Sequence, residues 1–360
     1  MTEKQLCLEE APGKDSAEPP SSGGQKTLNT IGLAFNLRKE GCVNEAYEEY
    51  DDIHTIESLR REIEKYGYEV LLYEQDDDFQ ARLRERRPDL MINIAEGIGT
   101  GRSRESQVPC LLESMGIAYS GSDPVALGIT LDKYVTSALL DHAKIPVPAM
   151  HLVSAAEDLA GLPRIFRDGR RYIVKPRWEG SSKGVHDNSV VDNFADLKAR
   201  AKDVLKKHSQ PAVIEEFMPG DEITAGICGN NRPELLGMMK IEPTVREKDY
   251  FLYSIEYKRE WETKIVYRRQ DTLGRKVRQA VEKYALAAFR CLELRDMARI
   301  DFRLDSKGVP HIIDVNPLPG MSPEYSDLPI LVRLNGGTYT QLFERFLRTA
   351  ITRHGFAVKF

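Results

Sequence analysis

The stretch from Met297 to Asn316 constrains this chain more than any other. Met297–Leu304 and Val309–Asn316 are runs of alternating apolar residues, and the Asp305-Ser-Lys-Gly308 segment between them is rich in turn formers. Two such runs around such a turn predict a β-hairpin. Side chains two apart on a strand share a face. Arg299, Asp301 and Arg303 therefore share one face of the first strand, and Asp314 and Asn316 share one face of the second. If the faces coincide, two carboxylates, an amide oxygen and an arginine converge. Oxygen ligands of this kind suit Mg²⁺, which takes few protein ligands and completes its shell with water and substrate phosphates. The alternative is a solvated polar face on a surface hairpin, and the rest of the chain decides between the two.

The bulk properties bound the possibilities. A chain of 360 residues, 41% hydrophobic and 30% charged, is long enough for two or three compact domains. A net charge of −5 and the lack of a Lys/Arg run argue against nucleic acid as a partner. No stretch approaches the roughly 20 apolar residues that span a bilayer, and the N-terminus lacks a basic-then-apolar signal pattern. Five scattered cysteines (Cys7, Cys42, Cys110, Cys228, Cys291) form no CxxC pair and no zinc spacing. A reduced, cytoplasmic protein is expected. Cys110 sits in an apolar helical context, which predicts a buried, inert thiol.

Residues 1–27 are crowded with Pro, Gly and Ser and read as a disordered tail. Strands are expected at Thr30–Phe35, Tyr68–Tyr73 and Asp89–Ile94, with helices at Ile53–Tyr66 and Asp78–Arg86 between them. That β-α-β-α-β order implies a parallel sheet with crossover helices. Ligands of open parallel sheets sit beyond the carboxyl ends of the strands. The loop there, Ala95–Glu105, carries glycines, Arg102, Arg104 and Glu105. Arg102 and Glu105 are taken as substrate-binding candidates, against the alternative of a flexible connection. A strand at Ile117–Ser120 and a helix at Tyr134–His142 follow. No GxGxxG follows the first strand, which argues against a classical dinucleotide fold.

Further on, the strand Arg171–Pro176 carries Lys175 near its end, beside Arg177-Trp-Glu-Gly-Ser-Ser-Lys-Gly184. Small residues leave backbone N–H groups accessible to phosphate oxygens, and a lysine adds a point charge. Glu215 and Glu216 lie on the strand Ala212–Phe217, and Glu222 follows shortly after. They serve either as acceptors for a nucleotide's amino and hydroxyl groups or as surface carboxylates. Residues 244–270, polar and aromatic with weak periodicity, are expected to form a mobile active-site loop, with Lys258 as a phosphate-side cation. Arg275–Leu292 and Thr340–Arg353 are expected helices.

Five segments in this order resemble the D-alanine–D-alanine ligase branch of the ATP-grasp superfamily. They are Leu-Asp-Lys133, Ile-Val-Lys-Pro-Arg-Trp-Glu-Gly-Ser-Ser-Lys-Gly184, Val-Ile-Glu-Glu-Phe-Met-Pro-Gly-Asp-Glu222, Ala-Arg-Ile-Asp301 and Asp-Val-Asn-Pro-Leu-Pro-Gly-Met321. The resemblance spans roughly residues 30–350. It implies an α/β (α+β) ATP-grasp fold with an N-terminal Rossmann-like domain at 28–122, a central subdomain at 123–219 and a C-terminal one at 220–360. ATP would lie between the last two.

Further roles follow from the resemblance alone. Lys133 and Lys175 would contact phosphates, and the loop of Glu179, Gly180, Ser181, Ser182 and Gly184 would close over them. Glu215 would accept from the adenine amino group, Glu216, Phe217 and Met218 would form a hinge, and Glu222 would bind ribose. Asp301, Asp314 and Asn316 would hold Mg²⁺; Asp314 stands where the family usually has Glu. Arg299 and the Gly320 N–H would stabilise developing charge, and Ser326 would bind the second substrate's carboxylate. The implied chemistry is amide formation through an acyl phosphate, with amino acids as substrates, and the implied assembly is a homodimer.

The chain departs from the family pattern at Asn36–Glu40, in the acidic run Glu45–Asp52 and in the loop Ala95–Ser106, all where the first substrate binds. The leading reading is an ATP-dependent carboxylate–amine ligase. D-alanyl-D-alanine synthesis and a nucleotide-binding protein without catalysis are the alternatives, and no extra domains of a biotin-dependent carboxylase are found.

Overall fold

The computed structural model describes residues 26–39, 41, 44–164, 166–246 and 248–360. The expected disordered tail therefore lies outside the described residues, apart from Lys26 and Thr27, as do Cys7 and Cys42. Lys26 forms a parallel bridge to Phe356.

The first sheet is built as the sequence pattern implies. Its elements are β1 (Thr30–Phe35), α1 (Ile53–Glu64), β2 (Glu69–Glu74), α2 (Phe79–Glu85), β3 (Leu90–Asn93), α3 (Gln107–Ser114) and β4 (Ala118–Tyr119). All pairings are parallel, in the order β2-β1-β3-β4. Parallel neighbours need crossovers, and the amphipathic helices supply them. Asp52 caps α1 by accepting from Thr55 N at 2.8 Å. Beyond β1 and β3, the Asn36 side-chain oxygen accepts from the N–H groups of Glu96 and Gly97 at 2.8 and 3.1 Å, tying the two terminal loops together. Gly97 has φ +90°, and a Cβ there would fall 2.1 Å from the Arg104 carbonyl oxygen. Only glycine fits this crossing.

The second sheet follows α4 (Pro124–Leu131) and α5 (Lys133–His142). It contains β5 (Met150–Val153), β6 (Tyr172–Pro176), β7 (Val190–Val191) and β8 (Ala212–Glu216), with α6 (Phe194–His208) between the last two. Its antiparallel order is β5-β8-β6-β7. The third sheet joins β9 (Glu222–Cys228), β10 (Glu234–Pro243), β11 (Ile265–Arg269), β12 (Met297–Leu304) and β13 (Pro310–Asn316) in the antiparallel order β11-β10-β9-β12-β13. Two short helices, α7 (Ile255–Arg259) and α8 (Trp261–Lys264), stand before β11; α9 (Arg275–Cys291), α10 (Asp327–Leu334) and α11 (Tyr339–Arg353) complete the chain.

Two expectations are corrected here. Residues 244–270 are not a structureless loop: they hold α7, α8 and β11, and Phe251 and Tyr253 are buried in the largest core cluster. Aromatic residues without helical or strand spacing pack as anchors, so periodicity understates their order. Cys110 is exposed, because α3 turns Val108 and Leu112 inward instead.

That largest cluster joins Ile31 and Leu33 of β1, Ile56 and Leu59 of α1, and Phe343, Phe346 and Leu347 of α11. The C-terminal helix thus seals against the N-terminal sheet, and burial of these side chains stabilises the closure by about 1.5–3 kcal/mol each. A polar lock reinforces it. Asp296, fully buried, accepts from Gly121 N at 2.7 Å, from the Asn230 side chain at 2.9 Å and from Arg353 Nη2 at 2.8 Å. Asp296→Ala strips Arg353 of its buried counterion and is expected to lower the unfolding free energy by about 3 kcal/mol. Chemical denaturation of the purified variant checks this.

Candidate active site

The hairpin places its carboxylates as the alternation requires. Arg299 stands opposite Asn316 and Asp301 opposite Asp314, with a bulge immediately after Asp301. The Asp301 carboxylate accepts from Thr224 Oγ1 at 2.5 Å, from Arg299 Nη2 at 2.9 Å and from Asn316 Nδ2 at 3.0 Å. Asp314 Oδ1 lies 2.9 Å from Lys133 Nζ. Burial works against the charge on both partners of this pair, but their mutual attraction outweighs it: the Asp314 carboxyl is held below its usual range and the Lys133 ammonium above its own. Two carboxylates and a carboxamide side by side form an oxygen donor set that fits Mg²⁺, with phosphates and water left to complete the shell.

A cavity opens between the second and third sheets over this centre. Its lining includes Lys133, Lys175, Glu179, Ser181, Ser182, Glu215, Glu216, Phe217, Met218, Glu222, Lys258, Arg299, Asp301 and Asp314. Lys175 Nζ lies 2.7 Å from Glu215, and both are buried. At the hinge, Glu216 N–H donates to Ala149 O and Phe217 N–H to Arg171 O. Among the described residues Met218 N–H has no such partner, which leaves it as the hinge donor. The Glu216 side chain instead turns outward to Arg170 at 2.7 Å. Arg303 braces the hinge. It pairs with Glu222 at 2.6 Å, donates to Met218 O at 2.8 Å and covers the Phe217 ring at 4.5 Å.

The Gly/Ser loop is fixed by a residue that the sequence pattern does not single out. Glu49, from the acidic run after β1, accepts from Gly180 N–H at 2.7 Å, Lys183 Nζ at 2.7 Å and Arg104 Nη2 at 2.9 Å. Burial would raise the Glu49 carboxyl, but Lys183 and Arg104 hold it below the usual range. A Cβ on Gly180 would fall 2.6 Å from Glu49 Oε1, so glycine is required at this contact. Ser181 and Ser182 carry φ of +48° and +59°. This left-handed backbone costs roughly 1–2 kcal/mol per residue and persists only where the surroundings hold it. Ser182 Oγ donates to Tyr253 O at 3.2 Å, tying the loop to the 244–270 region. The loop residues, Lys258 and the aromatic segment therefore meet over the phosphate end.

A second, larger cavity adjoins the first and shares Lys133, Ser181, Tyr253, Lys258, Arg299, Asp314 and Asp327 with it. Its other walls bring together Gly320, Ser326, Asn316 and Glu105 with the unanticipated Asp51 and Glu96. A Cβ on Gly320 would meet Ser326 Oγ at 2.7 Å, which explains the small residue. Arg299 also faces Asp327 at 3.6 Å. Arg102 does not join these residues: it is half exposed and pairs with Asp132 at 2.6 Å, outside both cavities. Its neighbour Arg104 is the buried arginine of this loop. The alternation Arg-Ser-Arg marks two arginines, but only the fold tells which one turns inward.

Two outcomes are expected. Glu49→Ala removes the partner of two buried cations, a loss of roughly 3 kcal/mol. Amides 179–184 should then lose about a hundredfold of their hydrogen-exchange protection, read by mass spectrometry. Glu105, buried and near Glu49, has its carboxyl pushed up to about 8 from 4.5 by burial, against the pull of Arg104. The folded state therefore keeps a proton that the unfolded state releases, so stability falls as pH rises from about 5 to about 8. The thermal midpoint of the ligand-free protein should drop over that interval, and drop less in Glu105→Gln.

This chain is similar to known proteins. Residues 139–348 match the family model for the D-ala D-ala ligase C-terminus. A D-alanine–D-alanine ligase of Pelotomaculum thermopropionicum is 30% identical over 284 residues, covering 77% of this chain and 85% of that one. The uncharacterized protein y4sG of Sinorhizobium fredii is 28% identical over 314 residues, 83% of this chain and 88% of its own. Among solved structures, a D-alanine–D-alanine ligase from Bacillus anthracis complexed with ATP superposes with a TM-score of 0.70 at 23% identity, covering 91% of this chain and 98% of that chain. That likeness establishes the ATP-grasp fold. Among the described residues no helix is long and apolar enough to cross a membrane. The chain belongs to the D-alanine–D-alanine ligase family, ATP-grasp ligases that use ATP and Mg²⁺ to form a carbon–nitrogen bond.

Proposed function

We propose that this protein joins two amino acids, activating the carboxylate of the first as an acyl phosphate and coupling it to the amine of the second. We place it in the cytoplasm as a homodimer, with 28–122, 123–219 and 220–360 as its three domains. One observation carries the catalytic reading: the cavity between the second and third sheets and the larger acid-lined one meet at Lys133, Lys258, Arg299 and Asp314, beside the donor set of the hairpin. Reacting groups held in two adjoining cavities approach each other at that junction, so that a bimolecular step becomes effectively unimolecular.

In this reading adenine lies against the hinge at Met218, with Glu215 as its acceptor, and Glu222 takes the ribose. Lys133 and Lys175 hold phosphates under the loop 179–184. Asp301, Asp314 and Asn316 would hold Mg²⁺, which would supply neutralising charge for the transferring phosphoryl group. A carboxylate oxygen of the first substrate attacks the γ-phosphorus, the bond to the β-bridging oxygen breaks and ADP leaves. The loop, latched by Glu49, keeps water from the acyl phosphate. The amine of the second substrate, its carboxylate placed by Ser326, then attacks the acyl carbon. Arg299 and the Gly320 N–H, which has no acceptor among the described residues, face the oxyanion that develops. Collapse expels phosphate and leaves the amide.

A phosphate-release screen over pairs of D- and L-amino acids tests the reading. Turnover with D-alanine as sole amino acid would make D-alanyl-D-alanine the product. Failure of every pair to elicit phosphate release would leave a nucleotide-binding protein. Arg299→Ala is expected to lower kcat by about 10²–10³ while ATP binding changes little. An equal loss of nucleotide affinity refutes the assigned role. Chelation of Mg²⁺ should abolish turnover, and Asp314→Asn should raise the Mg²⁺ concentration needed for half-maximal rate.

A further inference from the structure

We infer that the first substrate is a diamino carboxylic acid, with a second positive charge beyond its α-ammonium group; this deepens the ligase reading above and rests on it. The evidence is an unbalanced wall. Asp51 after β1, Glu96 after β3 and Glu105 at the start of α3 all line the larger cavity. Among the described residues none of their carboxylates makes a hydrogen bond or ion pair. Glu105 is only 7% exposed and has no partner but the cavity it lines.

Most neighbouring charges are already engaged; Lys258, which also lines this cavity, sits over the Tyr253 ring and is drawn by Asp327, Asp301 and Asp314. Glu49 is matched by Arg104 and Lys183, Glu48 by Arg259, and Asp314 by Lys133. Arg38, the cation nearest in sequence to Asp51 on this wall, pairs with Asp52 at 3.8 Å. A buried carboxylate without a partner is costly, and a protein answers by protonating it or by pairing it. The ligand-free protein does the first. Burial and the neighbouring carboxylates push Asp51 up to about 7, Glu105 up to about 8 and Glu96 well above its ordinary value.

A metal ion is not the natural partner: among the described residues no three acidic, His or Cys side chains gather closely enough to hold one. Ammonium groups suit carboxylates spread along a wall of a large cavity, because each makes separate charge-assisted hydrogen bonds. One α-ammonium offsets one of the three carboxylates. A second amine on the side chain offsets another, leaving one of the three to stay protonated. This chemistry also fits the location, since all three residues belong to the loops at the carboxyl ends of the parallel strands.

The test uses the full-length protein with Mg²⁺ and a non-hydrolysable ATP analogue. Calorimetric binding of lysine and ornithine, in both stereochemical forms, is compared with norleucine and norvaline, their neutral counterparts in length. At least one diamino acid should bind about tenfold or more tighter than its neutral counterpart. The preference should shrink to about twofold in Glu105→Gln, or in Asp51→Asn where the first variant does not fold. Equal affinity for charged and neutral members in the wild type overturns the inference, as does a preference that both variants retain. The phosphate-release assay separates the two readings. Ligation of neutral amino acids without preference for diamino ones overturns the inference and leaves the ligase standing. Preferential binding of a diamino acid without phosphate release from any pair overturns the ligase and supports the site.

Discussion

The pairing of β12 with β13 sets Asp301 against Asp314, and much of the molecule is arranged to make that tolerable. Two carboxylates on adjacent strands, both largely withdrawn from water, repel each other and lose hydration. The structure answers with cations from different parts of the chain. Lys133 comes from the start of α5, Lys175 from β6 and Arg299 from the same face of β12. A helix start, a strand of the second sheet and the hairpin itself are thus brought to one point. Under the proposed function, these cations would pass to polyphosphate and the carboxylates to its metal.

The same logic governs the contact between the two halves of the site. Glu49 reaches from the N-terminal sheet into the Gly/Ser loop, where it is enclosed by Gly180, Lys183 and Arg104. One carboxylate therefore couples the N-terminal sheet to the Gly/Ser loop, and loss of order on either side exposes buried charge on the other.

The residues that line the cavity between the second and third sheets were legible because many sit in short, contiguous patterns. A lysine ending a buried strand beside small residues, and acids at alternate positions of a hairpin, state their own geometry through the period of two. Glu222, Glu215 and Met218 came within reach through the family resemblance, and the fold brings them to the same cavity. The inner wall of the larger cavity was less legible. Asp51, Glu96 and Glu105 lie on different loops, and no periodicity relates them. The order of residues 244–270 was hidden for a related reason, since Phe251 and Tyr253 pack by shape and not by spacing.

The sequence by itself determined many of the local elements, the parallel character of the first sheet, the face shared by Asp301, Asp314 and Asn316, and the placing of Lys175 beside the Gly/Ser loop. Each follows from interactions within a few residues or across one turn. Tertiary structure decided which of Arg102 and Arg104 turns inward, that Glu49 latches the loop, and that three carboxylates stand unpaired on one wall. Those facts depend on segments far apart in the chain meeting in a low-dielectric interior. There a charge is defined by its neighbours across space, and sequence order alone does not say which neighbours those are. The hairpin named its own acidic face, but the carboxylate wall beside it exists only once the chain has folded.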